Sequence, residues 1–367
     1  MAKPIDTISL KGFKSIESIH EFELGKLNVL IGANGAGKSN FVEFFRMLRA
    51  MADEAFQEFV LTNGGCDGFF FNGPKVTNVI SCRLDFGRNW YEHELKPTSS
   101  GRLLIASETT GYLGSSNTYS GREESVLKSK RNEKSSNFQG YPGVGQYIYN
   151  SISSWTVYHF HDTSPLSPMR RDQPLRDWEK LRHDASNIAS FLLHLKEEEE
   201  GSYSLISDTI RLIAPFFDEF LFRPKENGGD EKVRLEWRQK GSDFPFQPSQ
   251  LSDGTLRFIC LATALLQPDP PATILIDEPE LGLHPYAISM LADLIKSASE
   301  RTQVIISTQS PTLLDYFEPE EVIVVNRRQG KSVFERLEPK DLSNWLDDYS
   351  VGELWQKNVV RGGPNHE

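Results

Sequence analysis

The sequence predicts an α/β fold built on a mixed sheet, with an antiparallel β subdomain and a helical insert. The run Leu27–Ile31 is nearly all apolar, and a glycine-rich turn and an apolar-periodic helix over Lys38–Met51 follow it. Such a run is typical of a strand buried on both faces of a sheet. In the last third of the chain, strand and helix patterns alternate. Short alternating segments over 76–105 indicate a β meander.

Two short alternating segments open the chain and predict strands at Ile5–Leu10 and Ile19–Leu24. Within the meander, a strand at Ser81–Phe86 is expected to pair with Tyr91–Leu95. Residues 114–146 are rich in Ser, Gly, Asn and Lys. They predict a long excursion over the surface, because such residues favour turns and loops.

A helical insert is expected after a strand predicted at Trp155–Phe160. Two segments with helical apolar spacing, Ser186–Leu195 and Leu205–Phe217, lie on either side of the acidic run 197–200. No heptad pattern persists over several repeats, so the helices predict a compact lid rather than a coiled coil.

The sheet is expected to resume after this insert. Predicted strands are Val233–Trp237, Ala272–Ile276, Gln303–Ser307 and Val322–Val325, and predicted helices start near Ser252 and cover Pro285–Ser299. The chain is therefore divided into an N-terminal lobe over 1–160, a helical lid over 161–231 and a C-terminal lobe over 232–367.

Composition narrows the classes of function. The chain of 367 residues has a formal net charge of −11, so nucleic-acid contact needs a basic patch set against an acidic average. Cys66, Cys82 and Cys260 are widely spaced and odd in number, which argues against a disulfide framework and favours a reducing compartment. Neither a signal-like N-terminus nor an apolar stretch of about 18 residues is present, so we expect a cytoplasmic protein without membrane contact.

The strongest motif lies between the strand at Leu27–Ile31 and the helix that follows it. Residues 32–39 read GANGAGKS and fit the pattern G-x-x-x-x-G-K-[ST] in its strand–turn–helix context. Glycines let backbone N–H groups surround phosphates, and the helix N-terminus adds positive potential. Lys38 is predicted to reach the β- and γ-phosphates, and Ser39 to ligate Mg²⁺. The nucleotide-binding candidates are Gly32, Ala33, Asn34, Gly35, Ala36, Gly37, Lys38, Ser39 and Asn40.

Two adjacent carboxylates end the apolar strand predicted at Ala272–Ile276. Asp277 is predicted to hold Mg²⁺, and Glu278 to polarise the attacking water. An acidic pair at a strand end is common on protein surfaces, and the phosphate-binding motif earlier in the chain makes the catalytic interpretation the better one.

The segment Leu251-Ser252-Asp253-Gly254-Thr255 opens a periodic helix upstream of the acidic pair. Ser252 is a good N-cap, so alone the segment is explained as a capped helix. With the two motifs above, it resembles the signature of ABC-type ATPases. In that family, the serine and glycine bind the γ-phosphate of ATP held by a second head. The resemblance therefore implies that Ser252 and Gly254 bind nucleotide across a dimer.

A further segment, Ser307-Thr308-Gln309-Ser310-Pro311, ends the strand predicted after the acidic pair. It resembles the switch segment of soluble ABC ATPases, with Gln309 where a histidine is usual. A glutamine amide orients water and bonds to phosphate, but it cannot carry a proton. Gln309 is therefore a catalytic candidate that predicts slow hydrolysis or a switch acting by hydrogen bonds, and the alternative is a turn cap.

The order of these motifs resembles soluble ABC-type ATPase heads related to RecF, SMC and OLD proteins. Gly12-Phe13-Lys14-Ser15 resembles the element beside the nucleotide in such heads, which makes Lys14 another nucleotide-binding candidate. IGANGAGKSNF, HDTSP and EPELGLHP resemble a bacterial group of AAA-family ATPases. The resemblance implies ATP and Mg²⁺ as ligands and a homodimer or larger homo-oligomer. An SMC-length coiled coil and a TOPRIM-type acidic cluster are missing, so SMC-like tethering and nuclease activity are not expected.

Several segments keep two interpretations. His161 or Asp162 replaces the glutamine loop of SMC-like heads, or lies in an ordinary turn into the lid. A metal site there needs three or four ligands, and only two histidines and one carboxylate are at hand. His284 belongs to a loop that communicates between heads, or caps a helix. The basic runs Arg122–Lys134 and Arg327–Arg328 contact DNA, or are solvated loops.

These motifs predict an ATPase that dimerises around Mg²⁺-ATP and acts as a switch. One hypothesis for its role is control of a protein effector in a prokaryotic phage-defence or toxin–antitoxin module. A second is a RecF-like ATPase of DNA repair or maintenance, and a third is a slow ATP-gated scaffold. The compact, acidic chain favours the first, and the basic runs keep the second open.

Overall fold

The computed structural model describes residues 2–135, 140–227, 230–342, 345 and 348–360. The strands are β1 (Thr7–Phe13), β2 (Ile16–Glu23), β3 (Leu27–Ile31), β4 (Ile80–Phe86), β5 (Asn89–Pro97), β6 (Leu103–Tyr112), β7 (Ser115–Arg122), β8 (Thr156–Tyr158), β9 (Gln173–Pro174), β10 (Phe217–Leu221), β11 (Lys225–Asn227), β12 (Asp230–Val233), β13 (Glu236–Gln239), β14 (Pro245–Phe246), β15 (Thr273–Asp277), β16 (Gln303–Thr308), β17 (Val322–Arg328) and β18 (Lys331–Arg336). The helices are α1 (Lys38–Asp53), α2 (Phe56–Thr62), α3 (Val144–Ser154), α4 (Ile188–Glu198), α5 (Glu200–Ile213), α6 (Asp253–Leu266), α7 (Pro285–Ser299), α8 (Pro311–Leu314), α9 (Pro339–Leu342) and α10 (Val351–Gln356).

A six-stranded sheet in the order β18-β17-β3-β16-β15-β8 carries the functional motifs. Its strands pair in parallel, except for β18, which is antiparallel to β17. The prediction of a mixed sheet is confirmed. Strands β3 and β8 from the predicted N-terminal lobe lie between or beside strands from the predicted C-terminal lobe, so both lobes contribute to one sheet. The boundaries proposed at residues 160 and 231 stay predictions.

Strand β3 shows why the run Leu27–Ile31 is apolar except at Asn28, whose side-chain amide bonds to the backbone of Gly25. Val29 and Ile31 belong to a hydrophobic cluster that includes α6 and α7, whereas Leu30 belongs to a second cluster that includes α1. Successive residues of a strand point to opposite faces, so a sheet covered on both sides favours apolar residues on both faces of its strands. Each such side chain contributes about 1.5–3 kcal/mol to folding through its burial.

A second six-stranded sheet, in the order β2-β1-β4-β5-β6-β7, is the predicted antiparallel subdomain. The expected pairing of Ser81–Phe86 with Tyr91–Leu95 is confirmed, because β4 and β5 form a hairpin with Leu84 opposite Tyr91. Buried and partly exposed residues alternate along β4. One face of this sheet therefore packs on α1 and α3, as the period of two predicts.

The insert contains the two predicted helices, now bounded as α4 and α5. Both bury apolar faces in the hydrophobic cluster that also contains α6. Helix α6 is unusual because all of its residues from Leu256 to Leu266 are buried. Two small sheets, β10-β13-β14 and β11-β12-β9, border these helices. A helix buried on every side explains why the apolar pattern after Ser252 is so dense.

The predicted surface excursion over 114–146 is wrong for two of its parts. Ser115–Arg122 forms β7, the edge strand paired with β6, and Val144–Ser154 forms α3. Almost every residue of β7 is exposed, so the strand shows no hydrophobic alternation, and its backbone bonds to β6 hold it. Residues 136–139 of the predicted excursion lie outside the described part of the chain.

The single strand predicted at Val233–Trp237 is divided between two sheets. Val233 ends β12, which pairs with β9, whereas Trp237 lies in β13, which pairs with β10 and β14. Both side chains are buried in the same cluster. The apolar pattern therefore predicts burial correctly but does not show where the backbone changes partner.

The buried imidazole of His93, on β5, makes a first prediction. It lies near the Phe44 ring, with centroids 6.4 Å apart, and neither ring nitrogen has a hydrogen-bond partner among the described residues. Burial lowers the pKa of His93 from 6.5 to about 3. Below pH 6.5 the unfolded chain therefore binds a proton at His93 that the folded protein does not bind, so the free energy of unfolding decreases as the pH is lowered. At pH 5 this costs about 2 kcal/mol.

We therefore expect His93→Leu to flatten the decline of the unfolding free energy between pH 6.5 and 5, measured by urea denaturation. His20 has an exposed side chain, and His20→Gln is the matched control, expected to leave the decline unchanged. An equally steep decline in His93→Leu and wild type would contradict a neutral, buried His93.

Candidate functional site

Three neighbouring parallel strands end at one edge of the central sheet. Ile31 at the end of β3 lies opposite Thr308 on β16, and Ser307 lies opposite Asp277 at the end of β15. The segments that follow these strands are the GANGAGKS turn, the switch segment and the acidic pair. The sheet therefore gathers the sequence-predicted motifs at the carboxyl ends of its strands, where α/β proteins bind ligands.

The GANGAGKS turn is shaped by its glycines. Gly35 and Gly37 have φ angles of 78° and 113°, which favour glycine. A Cβ atom on Gly32 would lie 2.2 Å from the carbonyl oxygen of Val325, and one on Gly37 would lie 2.0 Å from the Ser332 hydroxyl. Glycine is thus needed at positions 32 and 37 for close packing against β17 and β18, in addition to any contact with phosphate.

Lys38 begins α1, and its side chain folds back into the turn. It is 5% exposed, and its ammonium donates hydrogen bonds to the carbonyls of Gly32 at 2.5 Å and Ala33 at 3.3 Å. Burial lowers the pKa of Lys38, and the carboxylates that follow β15 act in the opposite direction. The ammonium is therefore a buried positive charge that faces the carboxylates after β15, and in the described part of the chain its hydrogen bonds go to carbonyl oxygens.

The other candidates of the turn differ in accessibility. Asn34, Gly35 and Ser39 are exposed, Ala33 is half-buried, and Ala36 is buried. The Asn40 side chain is engaged elsewhere, since its amide donates a 2.7 Å hydrogen bond to the Ser15 hydroxyl.

The predicted element at Gly12–Ser15 forms the turn between β1 and β2 and touches the GANGAGKS turn through hydroxyl groups. The hydroxyls of Ser15 and Ser332 are 2.7 Å apart, and Ser332 donates a 2.6 Å hydrogen bond to the Ala36 carbonyl. Lys14 instead pairs with Glu43 on α1, and its ammonium lies 5.1 Å from the centre of the Phe69 ring. Ser15, the last residue of the predicted element, and Ser332, which sequence reasoning missed, fix this turn, whereas Lys14 is bound to the flank of α1.

The acidic pair and the switch segment are joined directly. The Ser307 hydroxyl donates a hydrogen bond to the Asp277 carboxylate, and the Gln309 side-chain amide donates one to Glu278. Glu278 has a φ angle of 45°, and its backbone N–H bonds to the Ser307 carbonyl at 2.8 Å. This strained backbone conformation turns the Glu278 carboxylate toward Gln309.

Glu280 lies beneath the switch segment, although the sequence suggested only a loop after the acidic pair. One oxygen of its carboxylate accepts hydrogen bonds from the Thr308 hydroxyl at 2.5 Å and the Gln309 N–H at 3.3 Å. The other oxygen is buried, with no hydrogen-bond partner among the described residues. Burial raises the pKa of Glu280. The sequence analysis placed Glu280 within the EPELGLHP segment but gave it no role of its own, because only the folded chain shows which strand end it faces.

The HDTSP segment follows β8 at the same edge of the sheet. The His161 ring bonds to the Asp277 backbone carbonyl, with Nε2 2.9 Å from the oxygen, and the His159 ring lies 4.1 Å from it, centre to centre. Burial is the main cause that lowers the pKa of His159. The Asp162 carboxylate accepts a 3.1 Å hydrogen bond from the Ser164 N–H in its own turn. Within the described ranges, no three His, Cys, Asp or Glu side chains are grouped to hold a metal ion.

Ser252 and Gly254 lie at the start of α6. The Ser252 hydroxyl caps the helix by accepting a 3.1 Å hydrogen bond from the Thr255 N–H. Gly254 lies so close to Gly282 that a Cβ atom would be 2.6 Å from its carbonyl oxygen. In the described part of the chain, no hydrogen bond or ion pair joins Ser252 or Gly254 to residues 32–39. Within one molecule these candidates are thus linked to the loop after the acidic pair.

Two buried arginines hold this loop and the HDTSP segment against α6. Arg257 donates hydrogen bonds to the carbonyls of Phe160 at 3.0 Å, His161 at 3.2 Å and Leu281. Arg170 bonds to the carbonyl of Thr163 at 2.9 Å and to the Asp253 carboxylate at 2.8 Å. Sequence reasoning missed both arginines, because the carbonyls they bind have no sequence signal.

His284 caps α7, and its ring nitrogen Nδ1 lies 3.3 Å from the Tyr286 N–H that donates to it. The helix-cap interpretation of His284 therefore accounts for its position.

The predicted basic run at Arg327–Arg328 is divided between two contacts. Arg327 donates a 3.3 Å hydrogen bond to the Gly35 carbonyl, which places it at the GANGAGKS turn, whereas Arg328 pairs with Glu335.

Comparison with known families agrees with this geometry. The family described as "AAA domain, putative AbiEii toxin, Type IV TA system" matches residues 27–315. This range contains the turn, the signature-like segment, the acidic pair and the switch segment. No curated protein matches the sequence.

Two solved structures share the fold. An SMC head bound to the C-terminal winged-helix domain of ScpA is 18% identical, has a TM-score of 0.59, and the match covers 92% of this chain and 98% of that one. An SMC head with an extended coiled coil, bound to the C-terminal domain of ScpA from Pyrococcus furiosus, is 16% identical, with a TM-score of 0.55 and coverage of 94% and 98%. The predicted ABC-type, SMC-like P-loop head is thereby confirmed as the fold. No helix in the described ranges is both long and apolar enough to cross a bilayer.

The close approach of α6 to the loop after the acidic pair makes a second prediction. We expect Gly254→Ala to lower the unfolding free energy by about 1–3 kcal/mol, because the new methyl group would meet the Gly282 carbonyl. Gly201, near the start of α5, has open space around it. The matched control Gly201→Ala should gain up to about 1 kcal/mol through helix propensity. Urea denaturation measures both, and equal gains for the two variants would show that the close approach does not exist.

Proposed function

Since this chain belongs to the AAA domain family described above, we propose that it binds and hydrolyses ATP with Mg²⁺ and closes as a dimer around the nucleotide. The dimer would act as a switch that controls a protein effector. One observation carries the proposal: Lys38, Asp277, Glu278 and Gln309 follow three adjacent parallel strands at a single sheet edge. These are the residue types that position phosphates, Mg²⁺ and attacking water in P-loop ATPases.

Phosphate binding rests on Lys38. Among the described residues, its ammonium has only backbone carbonyls as hydrogen-bond partners, and burial lowers its pKa. Phosphate oxygens would replace these carbonyls and stabilise the charged ammonium, because an adjacent anion favours the protonated form. The exposed backbone at Asn34 and Gly35 and the N-terminus of α1 supply further N–H donors.

The oxygen groups of this edge fit Mg²⁺, which prefers hydroxyl, carboxylate and water ligands. Ser39 would hold the ion through its exposed hydroxyl, and Asp277 through its carboxylate, which Ser307 orients. The ion would neutralise charge that develops on the phosphates.

Glu278 is the proposed general base. The Gln309 amide bonds to its carboxylate, which fixes the orientation of the oxygen that would take a proton from water. Because Gln309 has no titratable proton, it acts as a positioning residue. Glu280, Thr308 and the Gln309 N–H anchor the switch segment from below.

Dimer closure is proposed from the position of Ser252 and Gly254. Both lie at a helix N-terminus, where phosphate is well bound, and neither is linked to the turn of its own molecule in the described chain. A second molecule would then complete the site, as the resemblance to ABC-type heads implies. ATP would favour the closed state through contacts that exist only there.

The biological role is proposed from the family description, which names a toxin of a type IV toxin–antitoxin system. The two similar SMC heads each hold a domain of another protein, which supports a protein partner for this head as well. A slow ATP-gated scaffold is the second candidate, and Gln309 in the switch segment favours it.

The first test measures solution mass with and without Mg²⁺-ATP. We expect Glu278→Gln to retain ATP and to shift from monomer to dimer, because loss of the base slows hydrolysis by about 10²–10⁴-fold. Adding Ser252→Arg should abolish this shift while ATP binding persists, and Lys38→Ala should lose ATP binding.

The control for Ser252→Arg is Ser350→Arg, which removes a similar N-cap from α10 and should leave the dimer intact. An equal ATP-induced dimer in Ser252→Arg would exclude the shared site. ATP turnover by wild type that Glu278→Gln abolishes would exclude the scaffold.

A separate prediction concerns Gln309. We expect Gln309→Ala to lower kcat about tenfold or more with little change in KM, because Glu278 loses the group that orients it. Gln309→His should restore turnover and make it depend on pH near 6.5, where an imidazole titrates. Steady-state kinetics between pH 5.5 and 8 measure this. A wild-type rate in Gln309→Ala would contradict the positioning role.

A further inference from the structure

A groove with a volume of about 1540 Å³ lies at the end of the antiparallel sheet where the β4–β5 and β6–β7 turns are. The β4–β5 turn, the β6–β7 hairpin and the segment leading into α3 line it, and no residue of the ATPase motifs does. The turn at Ser15, after the end of β1, touches the nucleotide edge, whereas Thr7 at the start of β1 lies opposite Asp85, close to the β4–β5 turn that lines the groove. At about 3.4 Å per residue, the seven residues of β1 separate the groove from that edge by roughly 20 Å. It is therefore a separate site.

The groove is basic although the chain is acidic. Lys3, Arg88, Lys130 and Lys134 line it, and Glu133 is the single acidic residue among the described residues of the lining. Glu133 is already engaged, since its carboxylate pairs with Lys130 at 3.1 Å and accepts a 2.8 Å hydrogen bond from the Gly145 N–H. Lys3, Arg88 and Lys134 have no ion pair with any described residue. Three uncompensated cations in one groove of a protein with net charge −11 mark a site for a polyanion.

Tyrosine rings lie among these cations. Tyr112, Tyr119, Tyr141 and Tyr147 all line the groove. Tyr141 is 64% exposed, and the Lys130 ammonium lies 4.8 Å from the centre of the Tyr119 ring. A flat π-face beside cations is the surface on which unpaired bases stack.

The residues of the groove beside the tyrosine rings are short and exposed. Strand β7 contributes Ser115, Ser116 and Asn117, which are exposed and short, and Gly114 precedes them. Their side chains leave the rings accessible and offer hydrogen bonds to sugar and phosphate oxygens. A duplex hides its base faces, so stacking on Tyr141 requires a strand with unpaired bases.

We propose that this groove binds a segment of single-stranded nucleic acid, with Lys3, Arg88 and Lys134 on phosphates and Tyr141 stacked on a base. This gives the nucleic-acid hypothesis a specific place in the structure. The proposal does not depend on ATP hydrolysis, because the groove shares no residue with the nucleotide edge.

Fluorescence anisotropy with labelled 12-nucleotide dT and rU strands tests the proposal. We expect wild type to bind at least one of them, with log K falling against log salt at a slope of about −2, since each of three phosphate contacts contributes about −0.7. The strand that binds with the higher affinity identifies the ligand of the groove as DNA or RNA. Lys38→Ala should bind equally well, which separates this result from any failure of the ATPase proposal.

Two kinds of variant test separately how charge and base stacking contribute to the binding of the labelled strand. Arg88→Glu with Lys134→Glu should weaken binding by at least tenfold and reduce the salt slope. Lys240→Glu, an exposed lysine outside the groove, is the matched charge control and should have no effect. Tyr141→Ala should weaken binding by about tenfold, whereas Tyr141→Phe should retain it, because the ring alone stacks.

Three outcomes would overturn the proposal. The first is no binding of either strand at low salt. The second is equal binding of a 12-base-pair duplex, which offers no unstacked base. The third is equal binding of inorganic polyphosphate together with no effect of Tyr141→Ala, which would reduce the groove to a general polyanion patch.

Discussion

The parallel register of β3, β16 and β15 is the constraint on which the site depends. Backbone hydrogen bonds place Ile31 beside Thr308 and Ser307 beside Asp277. The segments that follow β3, β16 and β15, although distant in sequence, therefore begin at the same edge of the sheet. A one-residue slip would exchange the two faces of a strand and carry buried side chains such as Val29 and Leu30 to the wrong clusters. The apolar packing that stabilises the sheet therefore also fixes the positions of the catalytic candidates.

Polar groups at this edge are held by each other. Ser307 bonds to Asp277, Gln309 bonds to Glu278, and Thr308 bonds to Glu280. Each bond joins the end of β16 to the segment after β15, so the switch segment and the acidic pair form one network. Asp277, Glu278 and Glu280 are half-buried, and a partly desolvated carboxylate is costly when it lacks hydrogen-bond partners. The network thus explains why three successive residues of β16 and its continuation are all polar.

The sequence predicts the elements that depend on local pattern. The strand Leu27–Ile31 and the helix Pro285–Ser299 have the predicted bounds, since a nearly continuous apolar run and a proline at the first helical turn are strong signals. Strand β7 lacks such a signal, because its exposed residues are held by the backbone alone. Glu280 and Arg257 have the same limitation, since their partners come from other parts of the chain. Gly32 fits its motif, but its packing against Val325 is visible only in the fold.

The buried arginines provide a physical link between the nucleotide edge and α6. Arg257 binds carbonyls that follow β8 and β15, and Arg170 binds the HDTSP segment and the start of α6. Burial lowers the pKa of Arg257, so its charge is tolerated only while these carbonyls stay in place. A shift of the loop after Asp277 would break bonds to a desolvated guanidinium unless α6 moved with it. Ser252 and Gly254 begin α6, so the segments after β8 and β15 and the proposed dimer surface should move as a unit.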